Sequence, residues 1–395
     1  MEAQRLSTLG VQSYGARARL AAEAAAKHAA SVDAAARFPS EAFAEIRAQR
    51  LLGIMVPTSL GGEGATIAEI ADVCFILGQA CSSAALIFAM HQIKMACLIR
   101  HCRGNAALER ILRQIASEQL LMASSTTEGQ AGGNVRSSEA AVEQAGEDVT
   151  LERKATVISY AVDADGIVTT ARRAPDAAGS DQVLLVLLKK DYTLERLQSW
   201  DTLGMRGTRS EGFTLRARAP AQQLLGEPYE KIHQQTMVPH AHVLWGSVWA
   251  GIAATATAKA QAFVRNALRS SGGQMPPGAA HFTQAASSLR TLRGVLSSAL
   301  RSYQAVMSDE KALGALEFQT MITLTKVQAS ELAVDTVLSA LRACGLSGFR
   351  NDSEFSIGRH LRDILSAPLM INNDRILANL AMTSVMTSLP SSISG

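Results

Sequence analysis

The fold is decided by the stretch VTLERKATVISY at residues 149–160, in the middle of the 395-residue chain. It is rich in β-branched residues, which favour strands. Similar short runs follow at 166–170, 182–188 and 213–217, separated by turn residues. No crossover helix fits between these runs, so they predict a largely antiparallel sheet, a small barrel or a sandwich.

Helical patterns flank this β-type region on both sides. Before it, apolar residues recur at three- and four-residue spacing from about Ser40, with a turn-rich break near Gly61. After it, three long helical runs are predicted at 238–269, 280–308 and 316–344, and a last helix begins near Ala367. Four long helices with short connections predict an antiparallel bundle.

The predicted fold class is therefore α+β and mostly α, with three domains. They are an N-terminal helical domain (1–122), a central antiparallel β domain (123–228) and a C-terminal four-helix bundle (229–395).

Composition excludes several classes of protein. Hydrophobic residues make up 47% and charged residues 18%, so the chain can bury a large core and is not disordered. The net charge of +3 includes no run of five like charges, so we do not expect nucleic acid as a partner. Five cysteines without a C-x-x-C pair argue against disulfides and thiolate zinc sites, and predict a cytoplasmic protein without metal. No eighteen-residue apolar stretch occurs, so no membrane span is expected.

Five segments, in order along the chain, resemble the characteristic motifs of the acyl-CoA dehydrogenase superfamily. These segments are LGIMVP with GGEG (52–57 and 61–64), TEGQAGGN (127–134), KATVISY (154–160), LGMRGT with LLG (203–208 and 224–226), and CGLSGF with RD (344–349 and 362–363).

This resemblance implies an FAD flavoprotein, usually a homotetramer, with the flavin between the β domain and the bundle. It implies α,β-dehydrogenation of an acyl thioester, bound to CoA or to an acyl carrier protein, with another flavoprotein accepting the electrons. The flavin supplies the redox chemistry, and the protein positions it.

The resemblance also assigns cofactor-binding residues, and each has a structural alternative. Thr127 and Ser159 match hydroxyls beside the flavin ring, but they are also ordinary turn and strand residues. Arg269 and Arg342 suit a pyrophosphate, although either can be a solvated helix arginine. The remaining cofactor candidates are Gly345, in the double-glycine motif, and Asn373, which could meet a substrate carbonyl or the FAD adenosine.

The family's catalytic carboxylate is missing. Counting from the RD motif places Ile371 where the usual Glu stands, and the alternative position on the first bundle helix falls near Ala241. His240 or His242 could be a displaced base, since imidazole accepts protons near neutral pH. Positions two residues apart on a helix point about 200° apart, so only one of them could face the flavin. Packed or surface histidines are the structural alternative.

Two further functions are compatible with the loss of this carboxylate. Flavin-dependent monooxygenases with this fold use reduced flavin and O₂ and lack the Glu; for such an enzyme, His91 is the candidate catalytic residue. A partner subunit without its own chemistry also needs no base. The LGMRGT and LLG segments are closer to the thioester dehydrogenases, so the sequence favours dehydrogenation of an acyl thioester.

Overall fold

The computed structural model describes residues 13–127 and 137–386. The first described residues form a group of helices. The main N-terminal helices are α1 (Tyr14–Ala35), α2 (Ser40–Ala48), α3 (Ile67–Ala80), α4 (Ser82–His101) and α5 (Ala106–Glu118). Local sequence explains where they begin: Thr66 and Glu69 form a reciprocal capping box at α3, and the Asn105 side chain accepts two backbone N–H bonds at α5. α4 is almost wholly buried, so it forms the centre of this part of the core.

In the described part of the middle of the chain, seven strands form two sheets. The strands are β1 (Met122–Ser125), β2 (Glu143–Ala145), β3 (Asp148–Ile158), β4 (Gly166–Arg172), β5 (Gln182–Leu188), β6 (Tyr192–Gln198) and β7 (Glu211–Pro220). The sheets have the orders β1-β4-β5 and β2-β3-β7-β6. The predicted antiparallel pairing is confirmed, except that β1 and β4 run parallel. β1 begins directly after the N-terminal helices, so it joins the sheet to α4 and α5.

The C-terminal part is helical, as predicted. Its elements are α6 (Tyr229–Ile232), a π-helical segment (His233–Met237), α7 (Val238–Ser270), α8 (Ala279–Val306), α9 (Glu310–Gly314), α10 (Leu316–Phe349), α11 (Gly358–Ile364), α12 (Ser366–Leu369) and α13 (Asn373–Met386). The fourth long helix begins at Asn373, not near Ala367, because Ile371 and Asn372 adopt left-handed backbone angles that end the preceding turn.

Helix α7 connects the N-terminal helices with the bundle. It packs on α3 on one side and on α8 and α10 on the other. Gly78 and Gly251 allow the close contact between α3 and α7: a Cβ on Gly78 would lie 2.6 Å from the Val248 carbonyl oxygen. The packing of α7 therefore fixes the position of its first turns, which carry both candidate histidines.

Two helices, α4 and α10, are long and apolar enough to cross a membrane by length and composition alone. The apolar window of α4 is 89% buried inside the protein and that of α10 is 44% buried. A core helix passes the same test, so the expected absence of a membrane span stays a prediction. The domain boundaries after residues 122 and 228 also stay predictions.

Candidate functional site

A small cavity lies where α4, the end of β1, the π-helical segment and α7 meet. Its volume is about 70 Å³, room for a few water-sized molecules. Its walls are formed by Met90, Ile93 and Lys94 of α4, Ser124 and Thr126, His233 and Met237 of the π-helical segment, Val238, Ala241, His242 and Trp245 of α7, and Ile371.

Both positions at which the superfamily is expected to carry its carboxylate line this cavity. They hold Ala241 and Ile371, neither of which can accept a proton. None of the described lining residues is Asp or Glu. The described cavity therefore offers no carboxylate base for proton abstraction.

The turn that carries Ile371 into the cavity is strained, and hydrogen bonds between Asn373 and α10 hold it in place. Ile371 has a φ of 55°, which is unusual for a β-branched residue. Asn373, the next residue but one, donates to Ser330 Oγ (3.0 Å) and Glu331 Oε1 (2.6 Å). Its Oδ1 accepts a hydrogen bond from Lys326 Nζ at 2.6 Å. The Asn373 amide is thus used inside the protein, and it fixes the start of α13.

The two histidines of α7 point in different directions. His242 lines the cavity, and its Nδ1–H donates to the Ile322 carbonyl at 2.9 Å, which leaves the Nε2 lone pair without a partner among the described residues. His240 points away: its Nδ1–H donates to the Thr236 carbonyl at 2.9 Å, and its ring packs edge-on against Tyr303. Burial lowers the pKa of each histidine to about 4, so both are neutral at pH 7.

His91 has both ring nitrogens engaged within the fold. Its Nδ1 accepts from the Met122 N–H at 3.0 Å, and its Nε2–H donates to the Leu52 carbonyl at 2.9 Å. Burial lowers the pKa of His91 to about 4, so it remains a neutral bridge between α4, β1 and the turn at Leu52. It has no free nitrogen for a reacting group.

Sequence reasoning missed Lys94 and Trp245. Lys94 is only 2% exposed, and its Nζ donates to the thioether sulfur of Met237 at 3.5 Å. Burial lowers the pKa of Lys94 to about 8. The indole Nε1–H of Trp245 is buried and has no hydrogen-bond partner in the part of the chain that the structure describes. A signal existed: Lys94 is the only Lys, Arg, Asp or Glu between residues 73 and 99.

The predicted flavin hydroxyls lie near the β-sheet side of the site. Thr127 follows the cavity residue Thr126, while the rest of the predicted loop, 128–134, falls outside the described residues. Ser159 Oγ shares a hydrogen bond of 2.7 Å with Ser210 Oγ and does not line the cavity.

The predicted pyrophosphate residues lie on helix surfaces away from the cavity lining. Arg269 bonds only within its own helix, to the Arg265 carbonyl and Asn266 Oδ1. Arg342 is exposed on α10, and Gly345 interrupts that helix with a φ of 53°. The structure does not bring these three residues together with the histidines in one chain.

The donors at the cavity suit a flavin. The hydroxyls of Ser124 and Thr126 can bind the polar edge of an isoalloxazine ring. No group of three or more His, Cys, Asp or Glu residues that could hold a metal occurs within 13–127 and 137–386. The site therefore fits a flavin in its chemistry.

A second groove, of about 420 Å³, lies on the outer face of the β2-β3-β7-β6 sheet. It is larger than the cavity but holds none of the candidate residues. Its Arg209 is paired with Asp163 at 3.2 Å and with Glu211 at 3.3 Å. Because this charge is already neutralised, the smaller cavity is the better candidate for chemistry.

Comparison with known proteins identifies the relatives of this fold. Residues 15–119 match the family described as acyl-CoA dehydrogenase, N-terminal domain. A probable acyl-CoA dehydrogenase, fadE25 of Mycobacterium leprae, is 25% identical over 355 residues, 87% of each chain. Residues 15–119 thus match an acyl-CoA dehydrogenase N-terminal domain, and the chain resembles acyl-CoA dehydrogenases over most of its length. Cyclohex-1-ene-1-carbonyl-CoA dehydrogenase of Geobacter metallireducens is 27% identical over 203 residues, 51% of this chain and 53% of that protein.

Solved structures with low sequence identity show the same fold over nearly all of the chain. FMN-bound TdsC of Paenibacillus sp. A11-2, a dibenzothiophene monooxygenase, has a TM-score of 0.84 at 17% identity, over 96% of this chain and 99% of that one. Methanesulfinate monooxygenase MsuC of Pseudomonas fluorescens has a TM-score of 0.81 at 20% identity, over 96% and 98%. The relatives together support a flavoprotein oxidoreductase, as the sequence predicts at this level.

Proposed function

We propose that this protein is a flavin-dependent monooxygenase that oxidises a small substrate group in the cavity. The observation that supports this proposal is the pair Ala241 and Ile371, which occupies both positions of the family's base with side chains that cannot accept a proton. Dehydrogenation of an acyl thioester needs a base for the α-proton. Transfer of an oxygen atom does not need a carboxylate at these positions.

The cavity residues suit an oxygen-transfer reaction. When bound, a reduced flavin would supply the two electrons with which one oxygen atom of O₂ enters the substrate and the other leaves as water. Met90, Ile93 and Ile371 form apolar walls that limit the entry of water. The neutral His242 ring presents its Nε2 lone pair to the cavity and can accept a hydrogen bond from a substrate hydroxyl or amine.

The cofactor and the assembly are part of this proposal. FAD remains our predicted flavin, because Arg269 and Arg342 are exposed and can meet a pyrophosphate at a subunit contact; the related TdsC contains FMN. Leu346 and Phe349 are 72% and 74% exposed on α10, which supports a homo-oligomer, with a tetramer as the expected state. We expect the protein in the cytoplasm.

A second candidate function is the dehydrogenation of an acyl thioester, which the sequence favoured. The relatives named as acyl-CoA dehydrogenases and the free Nε2 of His242 support it. Its physical difficulty is the environment of that base. Burial lowers the pKa of His242 to about 4, and the charge of Lys326 disfavours an imidazolium further. His242 would therefore be a weak base for the α-proton.

One set of experiments separates these functions. We expect purified protein to bind flavin, which chromatography after denaturation identifies as FAD or FMN. Without oxygen, butyryl-CoA should leave the oxidised flavin spectrum unchanged. After the bound flavin has been reduced with dithionite, the protein should consume O₂ before the spectrum of the oxidised flavin returns. Bleaching of the flavin by butyryl-CoA with formation of an enoyl product would overturn the proposal, and a chain that takes up no flavin would be a partner subunit.

Exchange of the butyryl-CoA α-protons in D₂O tests the missing base directly. We expect no exchange in the wild type and measurable exchange in Ile371→Glu, because a carboxylate would then line the cavity. If dehydrogenation is the function, the wild type exchanges, His242→Ala loses the exchange, and His240→Ala keeps it because His240 points toward Tyr303. Equal exchange in wild type and Ile371→Glu would show that residue 371 is not beside the substrate Cα.

A further inference from the structure

Lys94 is a buried amine whose hydrogen-bonding capacity is nearly unused. An ammonium group has three N–H donors, but among the described residues the one hydrogen bond of Lys94 is to the thioether sulfur of Met237, a weak acceptor. That sulfur also accepts from the Tyr229 hydroxyl at 3.3 Å, so the two donors share it. The side chain of Lys94 is buried and reaches the cavity. Its remaining donors have no acceptor among the described residues, so a ligand that enters the cavity can satisfy them.

A second donor in the same wall has no partner either. The Nε1–H of Trp245 is buried without an acceptor, and Trp245 lines the cavity with Lys94. Buried N–H groups are normally hydrogen-bonded, and leaving one unpaired destabilises the fold. Lys94 of α4 and Trp245 of α7, two residues with unsatisfied donors, thus line one small cavity.

The charge of the cavity defines which ligand these donors fit. Its described lining contains Lys94 but no Asp or Glu, so no carboxylate of the described residues neutralises the amine there. Resting on the monooxygenase function proposed above, we propose that Lys94 and Trp245 bind a carboxylate group of the substrate. The substrate class is therefore a small organic acid whose carboxylate is anchored in the cavity. A carboxylate has two acceptor oxygens, one for each donor, and it supplies the missing negative charge.

The experiment measures carboxylate binding at Trp245 itself. The chain has three tryptophans, so labelling with 5-fluorotryptophan gives three ¹⁹F resonances that single Trp→Phe variants assign. The flavin-loaded protein is titrated with benzoate and, separately, with its neutral isostere benzamide, and then with propionate and propionamide. We expect each acid to shift the Trp245 resonance with a Kd at least about 10-fold lower than that of its amide.

Substitutions assign the preference to Lys94. Lys94→Met should weaken binding of the acids roughly 10- to 100-fold and leave the affinity for the amides unchanged, and Lys94→Gln should do the same. Lys259→Met is the matched control, because Lys259 is a partly buried lysine of α7 that bonds to the Ser356 carbonyl and does not line the cavity. Its acid preference should stay within about threefold of the wild type, as expected for a charge that does not touch the ligand.

The outcomes separate this inference from the proposed function. A wild type with no preference for either acid, or a preference that is unchanged in both Lys94 variants, overturns the inference even when the oxygen experiment supports a monooxygenase. An acid preference that Lys94→Met and Lys94→Gln abolish supports the inference even when the flavin is bleached by butyryl-CoA. Flavin content, measured for each variant, identifies a loss of binding that comes from misfolding.

Discussion

Two buried lysines, Lys94 on α4 and Lys326 on α10, are similar in their burial but differ in their hydrogen bonds. Burial lowers the pKa of each to about 8. Lys326, however, donates to Asn373 Oδ1 at 2.6 Å and to the Pro368 carbonyl at 3.4 Å. Within residues 13–127 and 137–386, the one hydrogen bond of Lys94 is to the sulfur of Met237 at 3.5 Å. Equal burial with unequal hydrogen bonding shows that the two charges serve different purposes.

The contacts of Lys326 explain its structural purpose. Through Asn373 it holds the start of α13, and with it the strained residue Ile371 at the cavity. A buried charge without such oxygen partners, like that of Lys94, lowers the stability of the fold and does not hold another element in place as Lys326 does. A cavity residue that lowers the stability of the fold is typical of a binding site. The comparison therefore separates a lysine that builds the site from one that is available to a ligand.

The largest expected effect is a gain in stability from Lys94→Met. The pKa of Lys94 is lowered from 10.5 to about 8 in the folded protein, so below pH 8 its charge costs about 3 kcal/mol relative to the unfolded chain. Between pH 8 and 10.5 the unfolded state binds more protons than the folded state, so wild-type stability rises with pH. Lys94→Met should raise the free energy of unfolding at pH 7 by about 3 kcal/mol and reduce this rise.

Urea denaturation of the flavin-free protein at pH 7, 8, 9 and 10 measures both quantities. Lys326→Met is the control, because it also removes a buried charge but leaves the Asn373 amide oxygen without its donor. Its gain at pH 7 should be smaller by about 1.5 kcal/mol or more, the value of a hydrogen bond to a charged group. Equal gains in the two variants would show that the two lysines do not differ as the contacts indicate.

The architecture could be predicted from the sequence because local patterns determine it. The β-branched run that ends at Ile158 and the long apolar periodicity of α7 and α10 are strong signals. β1, β2 and β6 were missed: β1 and β2 have four and three residues, and β6 is mostly polar and exposed. The position of α13 was missed because no sequence rule places a β-branched residue such as Ile371 in a left-handed conformation.

The candidate site was predicted less completely than the fold. Family spacing led to Ala241, His242 and Ile371, and all three line the cavity. The same reasoning selected His91, but it could not show that hydrogen bonds to β1 and the Leu52 turn occupy both of its nitrogens. Lys94 was missed because partners distant in sequence decide whether a buried charge is satisfied.

The second prediction concerns the oxygen partner of Lys326. Asn373→Ala removes the acceptor at 2.6 Å from a buried ammonium group and two bonds to α10. We expect the free energy of unfolding at pH 7 to fall by about 2 kcal/mol, the range for hydrogen bonds to charged groups. Asn266→Ala, at an exposed position on α7, is the control and should change it by less than about 0.5 kcal/mol. Similar values for both variants would mean that Asn373 does not hold Lys326.

The smallest expected effect tests whether the turn supported by Lys326 is strained. Ile371 has a φ of 55°, and the left-handed region disfavours β-branched side chains but accepts asparagine. Ile371→Asn should therefore raise the free energy of unfolding by about 1 kcal/mol, the lower end for such strain, even though an apolar side chain is lost. Ile371→Val keeps the branched Cβ and should give no gain, so it is the matched control.

Urea denaturation measures the effect of both substitutions, each introduced into the wild-type protein and into the Asn373→Ala variant. If the gain from Ile371→Asn is as large without Asn373 as with it, the strain does not depend on the Lys326–Asn373 contact, and the structural purpose assigned to Lys326 is wrong.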